Sequence, residues 1–292
     1  MKSQMEYYSF NRYLRNRFGC KVYKISINGG FTCPNRDGTC GTRGCIFCSA
    51  GGSGDFAEDP RLSVTQQIEK GKLRVQNKIK SGKYIAYFQA FTNTYAPMKV
   101  LRKKFTEAIE HPDIVMLSVA TRPDCLPDDV IDLLAQLNTI KPVSVELGLQ
   151  TIHQKSADYI RRGYNLACFD DAVCRLKEAG LEVVCHIILG LPGESKSDML
   201  QSVDYACKSG INGIKLQLLH VLKNTDLEKE YRAGKFKTLT FEEYLDIIKS
   251  CVKIIPKEIV IHRLTGDGAK KDLIAPLWSA DKKKVLNAIS KL

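Results

Sequence analysis

At 292 residues, 44% hydrophobic and 26% charged, the chain can bury a large core and has the composition of a soluble globular protein. No apolar run approaches the roughly 20 residues that span a bilayer, and the polar, aromatic start lacks the apolar centre of a signal peptide; both point to a cytoplasmic protein with no membrane partner. The net charge of +12 points to a polyanionic partner, nucleic acid ahead of a membrane surface. Its excess gathers at Arg12, Arg15, Arg17, Lys21 and Lys24, at Lys99, Arg102, Lys103 and Lys104, and at Lys270, Lys271, Lys282, Lys283 and Lys284.

In chain order, residues 1–20 form a basic, aromatic lead-in, and strand-like runs rich in β-branched residues then recur at 22–27, 84–89, 114–119, 143–149, 182–189 and 214–219. Several are near-continuously apolar, as strands buried on both faces are. Helical patterns fall between them at 64–80, 97–110, 126–137, 166–180 and 196–210, with Pro97 and Pro127 opening two helices and Gly180 and Gly210 closing two others. Six strand-then-helix units predict a parallel sheet, open or curled toward a barrel, over residues 21–222. The pattern loosens in an extension, 223–292, where a helix, a seventh strand in "EIVIHRL" and a terminal helix are expected. In such folds functional residues gather where strands end and the following loops begin.

The loop after the first strand reads "CPNRDGTCGTRGCIFC", four of the chain's 11 cysteines in sixteen residues, where random placement would give about 0.6. An odd cysteine count in a reducing compartment argues against disulfides and for metal or redox chemistry. Four thiolates can close a structural zinc site, whereas three can hold an iron–sulfur cluster with one iron open for catalysis. Cys125, Cys168, Cys174, Cys185, Cys207 and Cys251 fall in or beside predicted elements and read as small apolar packing residues.

Cys33-Pro-Asn followed by Cys45-Ile-Phe-Cys48 resembles the cluster loop of radical S-adenosylmethionine enzymes. Most of that superfamily carries Cys-x3-Cys-x-aromatic-Cys; here eleven residues separate Cys33 from Cys45, while the Cys-x-Phe-Cys end is intact. A stretched first gap is characteristic of the branch that resembles the elongator catalytic subunit and its bacterial stand-alone relatives. "YFQAFTNTY", "TRPDCLP", "ELGLQT", "RRGY", "HIILGLPGE" and "RLTGDG" resemble that branch in the same order, from about residue 20 onward. The resemblance implies a partial (β/α)6 TIM-like radical SAM barrel with a C-terminal α/β extension packed on it. It also implies a [4Fe–4S] cluster on Cys33, Cys45 and Cys48, S-adenosylmethionine as cofactor, and a flavodoxin- or ferredoxin-type electron donor. Cys40, Cys45 and Cys48 make a second triad; the first is preferred because Cys-Pro-Asn directly follows the strand, as in the resembling branch. The implied substrate is tRNA, at the C5 side chain of the wobble uridine, with conversion of carboxymethylaminomethyl to aminomethyl. The elongator's acetyltransferase domain has no counterpart here, so its acetyl-dependent reaction does not transfer.

A Gln-then-Arg arrangement similar to cofactor contacts in the coproporphyrinogen-oxidising branch falls on Gln150 and Arg162, and His186 stands where related enzymes place a polar residue against the ribose. Glu146 shares a strand face with Gln150, four residues away, and joins the cofactor candidates. Asn93, Arg122, Asp124, Arg263 and Asp267 are rim candidates for substrate, although Arg122 and Asp124 serve equally as an ion pair holding their own loop. Two other readings stand beside this one: a radical enzyme on a small metabolite or protein, and a non-catalytic nucleic-acid-binding protein stabilised by zinc.

Overall fold

The computed structural model describes residues 7–78, 82–266 and 268–291; Asp267, a substrate candidate, lies outside them. Among the described residues nine strands are formed: β1 (Tyr23–Ile27), β2 (Tyr84–Phe88), β3 (Ile114–Thr121), β4 (Val143–Gln150), β5 (Glu182–Leu189), β6 (Gly213–Leu218), β7 (Val221–Leu222), β8 (Val260–Arg263) and β9 (Leu273–Ala275). Seven of them make one sheet in the order β1-β2-β3-β4-β5-β6-β8, parallel at every pairing. Sequential order with helical crossovers curls this sheet into a partial TIM-like barrel, the expected α/β class. The seventh strand comes from the extension, so residues 223–292 complete the sheet as well as pack on it. β7 and β9 pair antiparallel beside it.

The helices are α1 (Phe10–Phe18), α2 (Val64–Val75), α3 (Met98–Glu110), α4 (Asp128–Asn138), α5 (Gln154–Tyr159), α6 (Leu166–Glu178), α7 (Lys196–Lys208), α8 (Asp226–Arg232), α9 (Phe241–Ile254) and α10 (Lys282–Ile289). Their starts are chemically marked. Ser63, Ser195 and Thr240 each build a reciprocal capping box with Gln66, Asp198 and Glu243, satisfying otherwise orphaned amides. Pro97 and Pro127 occupy the cap itself, one residue before the helix. Gly180 and Gly210 follow α6 and α7 with φ of +72° and +91°, a left-handed turn that glycine adopts without strain. Among the described residues no helix is long and apolar enough to cross a membrane.

The two faces of the sheet differ in chemistry. Ile25, Phe88, Leu117, Val145, Ile187 and Leu216 are buried in the main core with the surrounding helices. The alternate positions turn inward and carry Lys24, Tyr87, Ser118, Glu146, His186 and Lys215. Lys24, which the sequence groups with surface charge, is drawn in toward Glu146. Cys125, Cys185 and Cys251 are buried, but Cys174 is exposed on α6, outside the packing role expected of it.

Helix α1 covers the barrel end opposite the strand C-termini. Its Leu14 packs with Val22 and with the inward-facing Ile85 and Met116. Phe10 stacks on His262 at 4.0 Å, and the Tyr13 hydroxyl donates to Glu182 at 2.8 Å.

Candidate active site

At the C-terminal ends of the strands lies a cavity of about 170 Å³. Its upper wall is the cysteine loop, which is fastened by its own side chains. Asn35 is buried and donates to Arg161 O at 2.7 Å and to Cys45 Sγ at 3.5 Å. Arg36 donates to Ser49 O at 2.6 Å and lies over the Phe91 ring. The Ile46 amide reaches Ile160 O at 3.2 Å, which ties the loop to the turn after α5. In that turn Gly163 has φ +84°, and a Cβ there would stand 2.8 Å from Asn35 Oδ1; glycine is what lets the two segments touch.

Cys33, Cys45 and Cys48 all line this cavity. Cys40 is exposed and lines a separate open groove with Tyr95 and Pro127. Burial pushes the Cys45 thiol up to about 12, with Cys48 and then Cys33 adding to the effect against Asn35; burial also raises Cys48. Crowded thiols of this kind lose their protons when a metal centre joins them. Three such thiolates are a donor set for zinc or for an iron–sulfur cluster. Elsewhere, among the described residues, Glu69, His111 and Asp113 bring ligand atoms to within 4.8 Å of one another. The Glu69 and Asp113 carboxylates are bridged by Lys72 at 2.8 and 2.5 Å, which occupies that second cluster.

The side wall comes from the end of β4. Gln150 sits at φ +62° after a bulge between Gly148 and Gln150, and its amide meets the Tyr164 hydroxyl at 3.2 Å. A Cβ on Gly148 would overlap the Gln150 side chain at 2.3 Å. Arg162 is 2% exposed. Its Nη1 donates to Leu149 O at 3.0 Å and Thr151 O at 2.7 Å, and its Nε to Tyr164 O at 3.0 Å. Its Nη2 is buried without a hydrogen-bond partner among the described residues. Arg122 grips Asp124 in two parallel bonds of 2.8 and 2.6 Å and donates to Arg162 O at 3.0 Å, so the ion-pair alternative for these two is the arrangement found. Asn93 is buried beneath the rim, its amide donating to Ala120 O at 2.7 Å.

The floor is built around Glu146, whose side chain is fully buried. Lys24 Nζ at 2.5 Å, the Ser118 hydroxyl at 2.8 Å, the Tyr87 hydroxyl at 2.9 Å, His186 Nε2 at 2.8 Å and Lys215 all reach its carboxylate. Burial raises the carboxyl, but Lys215, then Lys24 and His186, outweigh it and hold the group well below the usual carboxylate range. Burial and then Lys215 lower His186 to about 4, so its imidazole is neutral at pH 7, donating from Nε2 and accepting from Gln217 at 3.3 Å on Nδ1. Burial lowers both lysines against the pull of Glu146, and Arg263, which also lines the cavity, lowers them further.

The structure thus gathers Cys33, Cys45, Cys48, Gln150, Arg162, His186, Glu146, Arg122 and Arg263 around one cavity. Lys24, Tyr87, Ser118, Lys215, Asn35 and Tyr164 were missed by sequence reasoning. The signal for Lys215 was a lone charge inside an otherwise apolar strand run, at a place where only a partner makes burial tolerable.

Comparison with known proteins agrees with this geometry. Residues 36–206 match the model of the Radical SAM superfamily, and residues 211–292 that of the Radical SAM C-terminal domain. The chain is 46% identical over 289 residues to the uncharacterized protein YtqA of Bacillus subtilis, across 99% of this chain and 90% of that one. It is 29% identical over 168 residues to a tRNA uridine(34) acetyltransferase of Methanocaldococcus jannaschii, across 56% of this chain and 30% of that one. Among solved structures, the archaeal Elp3 of Methanocaldococcus infernus has a TM-score of 0.66 at 18% identity, covering 92% of this chain and 63% of that one; at that identity the likeness is one of fold. The chain therefore spans less than two thirds of the length of these two archaeal proteins.

Proposed function

We propose, from the premise that this chain belongs to the radical S-adenosylmethionine superfamily, that it modifies the C5 side chain of the wobble uridine in tRNA, converting carboxymethylaminomethyl to aminomethyl. The superfamily's cofactors are a [4Fe–4S] cluster and S-adenosylmethionine, which together supply an electron and a 5′-deoxyadenosyl radical able to attack an unactivated C–H bond. The observation that carries the enzyme reading is the convergence of Cys33, Cys45 and Cys48, with Cys40 outside, on the cavity that also holds Gln150, Arg162 and His186.

The residues present fit both groups. The three thiols would hold the cluster. The buried Nη2 of Arg162, unpartnered among the described residues, is assigned to the cofactor's carboxylate, with Gln150 beside it, because a guanidinium edge matches a carboxylate. Neutral His186 is assigned to the ribose, whose hydroxyl would take the place of Gln217 on Nδ1 while Nε2 stays on Glu146. Five donors already engage Glu146, so we assign it to ordering the floor in place of the direct cofactor contact the sequence suggested. Arg162→Lys is expected to weaken S-adenosylmethionine binding about ten- to hundredfold, the worth of one charged hydrogen bond, while iron content is kept; unchanged affinity removes Arg162 from the site.

Three supports favour tRNA. One relative is named as a tRNA uridine(34) acetyltransferase. The chain carries a net charge of +12, suited to a phosphate backbone. An anticodon base is already single-stranded, so presenting it to a deep cavity costs less than extracting it from a duplex. A flavodoxin- or ferredoxin-type electron donor belongs to the same proposal. In cells lacking the protein, tRNA nucleosides are expected to accumulate the carboxymethylaminomethyl form and lose the aminomethyl form. Purified protein is expected to bind tRNA with an affinity that falls linearly with salt on logarithmic axes. An unchanged nucleoside profile together with absent or salt-independent binding sinks the tRNA reading and leaves a metabolite substrate.

A further inference from the structure

We infer that Gln89 and Gln217 form a doorway between two cavities and read the hydrogen-bonding edge of a uracil-type base, its N3–H and a neighbouring ring carbonyl. The inference rests on the proposed tRNA substrate and deepens it by naming the residues that recognise the base. A second cavity, of about 110 Å³, adjoins the one lined by the three thiols. Cys48, Gln89 and Gln217 line both. The second cavity reaches the surface at Ser53 and Asp55, which are exposed, so it offers a substrate an approach to the first.

The pairing of the two glutamines follows from the layers of the barrel. One layer down, Lys215 on β6 reaches the Tyr87 hydroxyl on β2 at 3.0 Å. Gln217 lies two residues further along β6. Gln89 lies two residues beyond Tyr87, its backbone amide still on Ile27 O at 3.3 Å. A period of two keeps both on the inner face, and their shorter side chains leave an opening where Tyr87 and Lys215 close one. Each glutamine is held by one end. The Ser26 hydroxyl donates to Gln89 Oε1 at 3.3 Å, and among the described residues the Gln89 amide nitrogen has no hydrogen-bond partner. Gln217 Nε2 donates to His186 Nδ1 at 3.3 Å, and its Oε1 has none among the same residues. The doorway therefore offers a donor from one strand and an acceptor from another. A carbonyl beside an N–H, the O4 and N3–H of uracil, answers both. Where the cofactor's ribose takes His186 Nδ1, the Gln217 amide nitrogen is released as a further donor for the second ring carbonyl. C4 adjoins C5 in the ring, so a base held through O4 turns its C5 substituent toward the cavity of the cluster ligands.

The test is the affinity of cluster-loaded protein, with saturating S-adenosylmethionine and no reductant, for two synthetic anticodon stem-loop RNAs. One carries uridine at the wobble position and the other 3-methyluridine, which lacks the N3–H. The uridine RNA is expected to bind about tenfold more tightly, the worth of one hydrogen bond whose partner is otherwise left unsatisfied. Gln89→Met and Gln217→Met, which keep chain length and remove the amide, should each lower uridine-RNA affinity severalfold, and the Gln217 variant should also erase the preference. Gln89→Glu keeps the bond from Ser26 but removes the donor, so it gives the same loss of uridine-RNA affinity relative to 3-methyluridine RNA carrying the same added charge if a methionine variant does not fold. Equal affinity of the unaltered protein for the two RNAs overturns the inference. So does a preference that survives in Gln217→Met, as steric exclusion of the methyl group would give, or one that vanishes when S-adenosylmethionine is added. Equal or selective loss leaves RNA binding itself intact, whereas binding of neither RNA overturns the tRNA reading and this inference with it.

Discussion

Alanine at Cys33, Cys45 or Cys48 is expected to leave anaerobically purified protein nearly colourless and without stoichiometric iron and sulfide, while Cys40→Ala stays brown and loaded. The expectation rests on placement. The first three thiols line one cavity and Cys40 lines another, so removing Cys40 takes away no ligand. Loss of one of three thiolates leaves a cluster with two protein ligands, and cluster assembly depends on the full set. Arg36 and Asn35 fasten the loop through backbone carbonyls, so each single alanine should leave the fold and its melting temperature close to wild type. The readout is iron and acid-labile sulfide per chain, with the visible absorption of the cluster. Full loading of Cys33→Ala with loss in Cys40→Ala would reassign the ligands to the triad starting at Cys40. Zinc retained at one ion per chain in place of iron would favour the structural-zinc reading.

Glu146→Gln is the substitution with the largest expected effect on stability. Glutamine keeps the shape of the side chain but removes the carboxylate that Lys24 and Lys215 share. Breaking a buried pair from one side typically costs about 3–5 kcal/mol, because the partner is left as an unanswered charge. For a chain of this size that corresponds to a fall in melting temperature of about 10 °C. The pH dependence follows from the direction of the carboxyl's shift. Its folded value lies well below 4.5, so its contribution is fully present above that pH and is lost as pH falls through the folded value. The gap between wild type and Glu146→Gln should therefore be flat between about pH 6 and 8 and narrow as the solution is acidified below 4.5. A melting temperature unchanged by the substitution would show that the lysines are neutral without it.

Much of the barrel was legible in the sequence because its signals are local. The run at 182–189 forms β5 to the residue, and Pro97, Pro127, Gly180 and Gly210 stand at helix boundaries because their own backbone preferences put them there. The elements that escaped notice are short or depend on tertiary partners. β7 and β9 have two and three residues, too few for any period to show, and the amphipathic α1 was read as a basic lead-in. The cysteine loop announced itself by density. The floor did not, since Lys24 is one more lysine in a basic chain until the register of β1 turns it inward. Glu146 and Gln150 both line the cavity, but the count between them crosses the bulge after Gly148, and counting cannot show that five other side chains arrive at the Glu146 carboxylate. Arg122 and Asp124 were left with two roles open, and geometry found the ion pair.

Helix α1 contributes no polar atom to the cavity, yet it governs how strongly the cavity's charges act. By packing Leu14 on Ile85 and Met116 and laying Phe10 over His262 and Lys24, it shuts water out of the far end of the barrel. A unit charge pair at contact distance is worth several times more in protein surroundings than in bulk water. The helix therefore behaves as an insulator, its residues 10–18 covering one side of the charges that the strands carry.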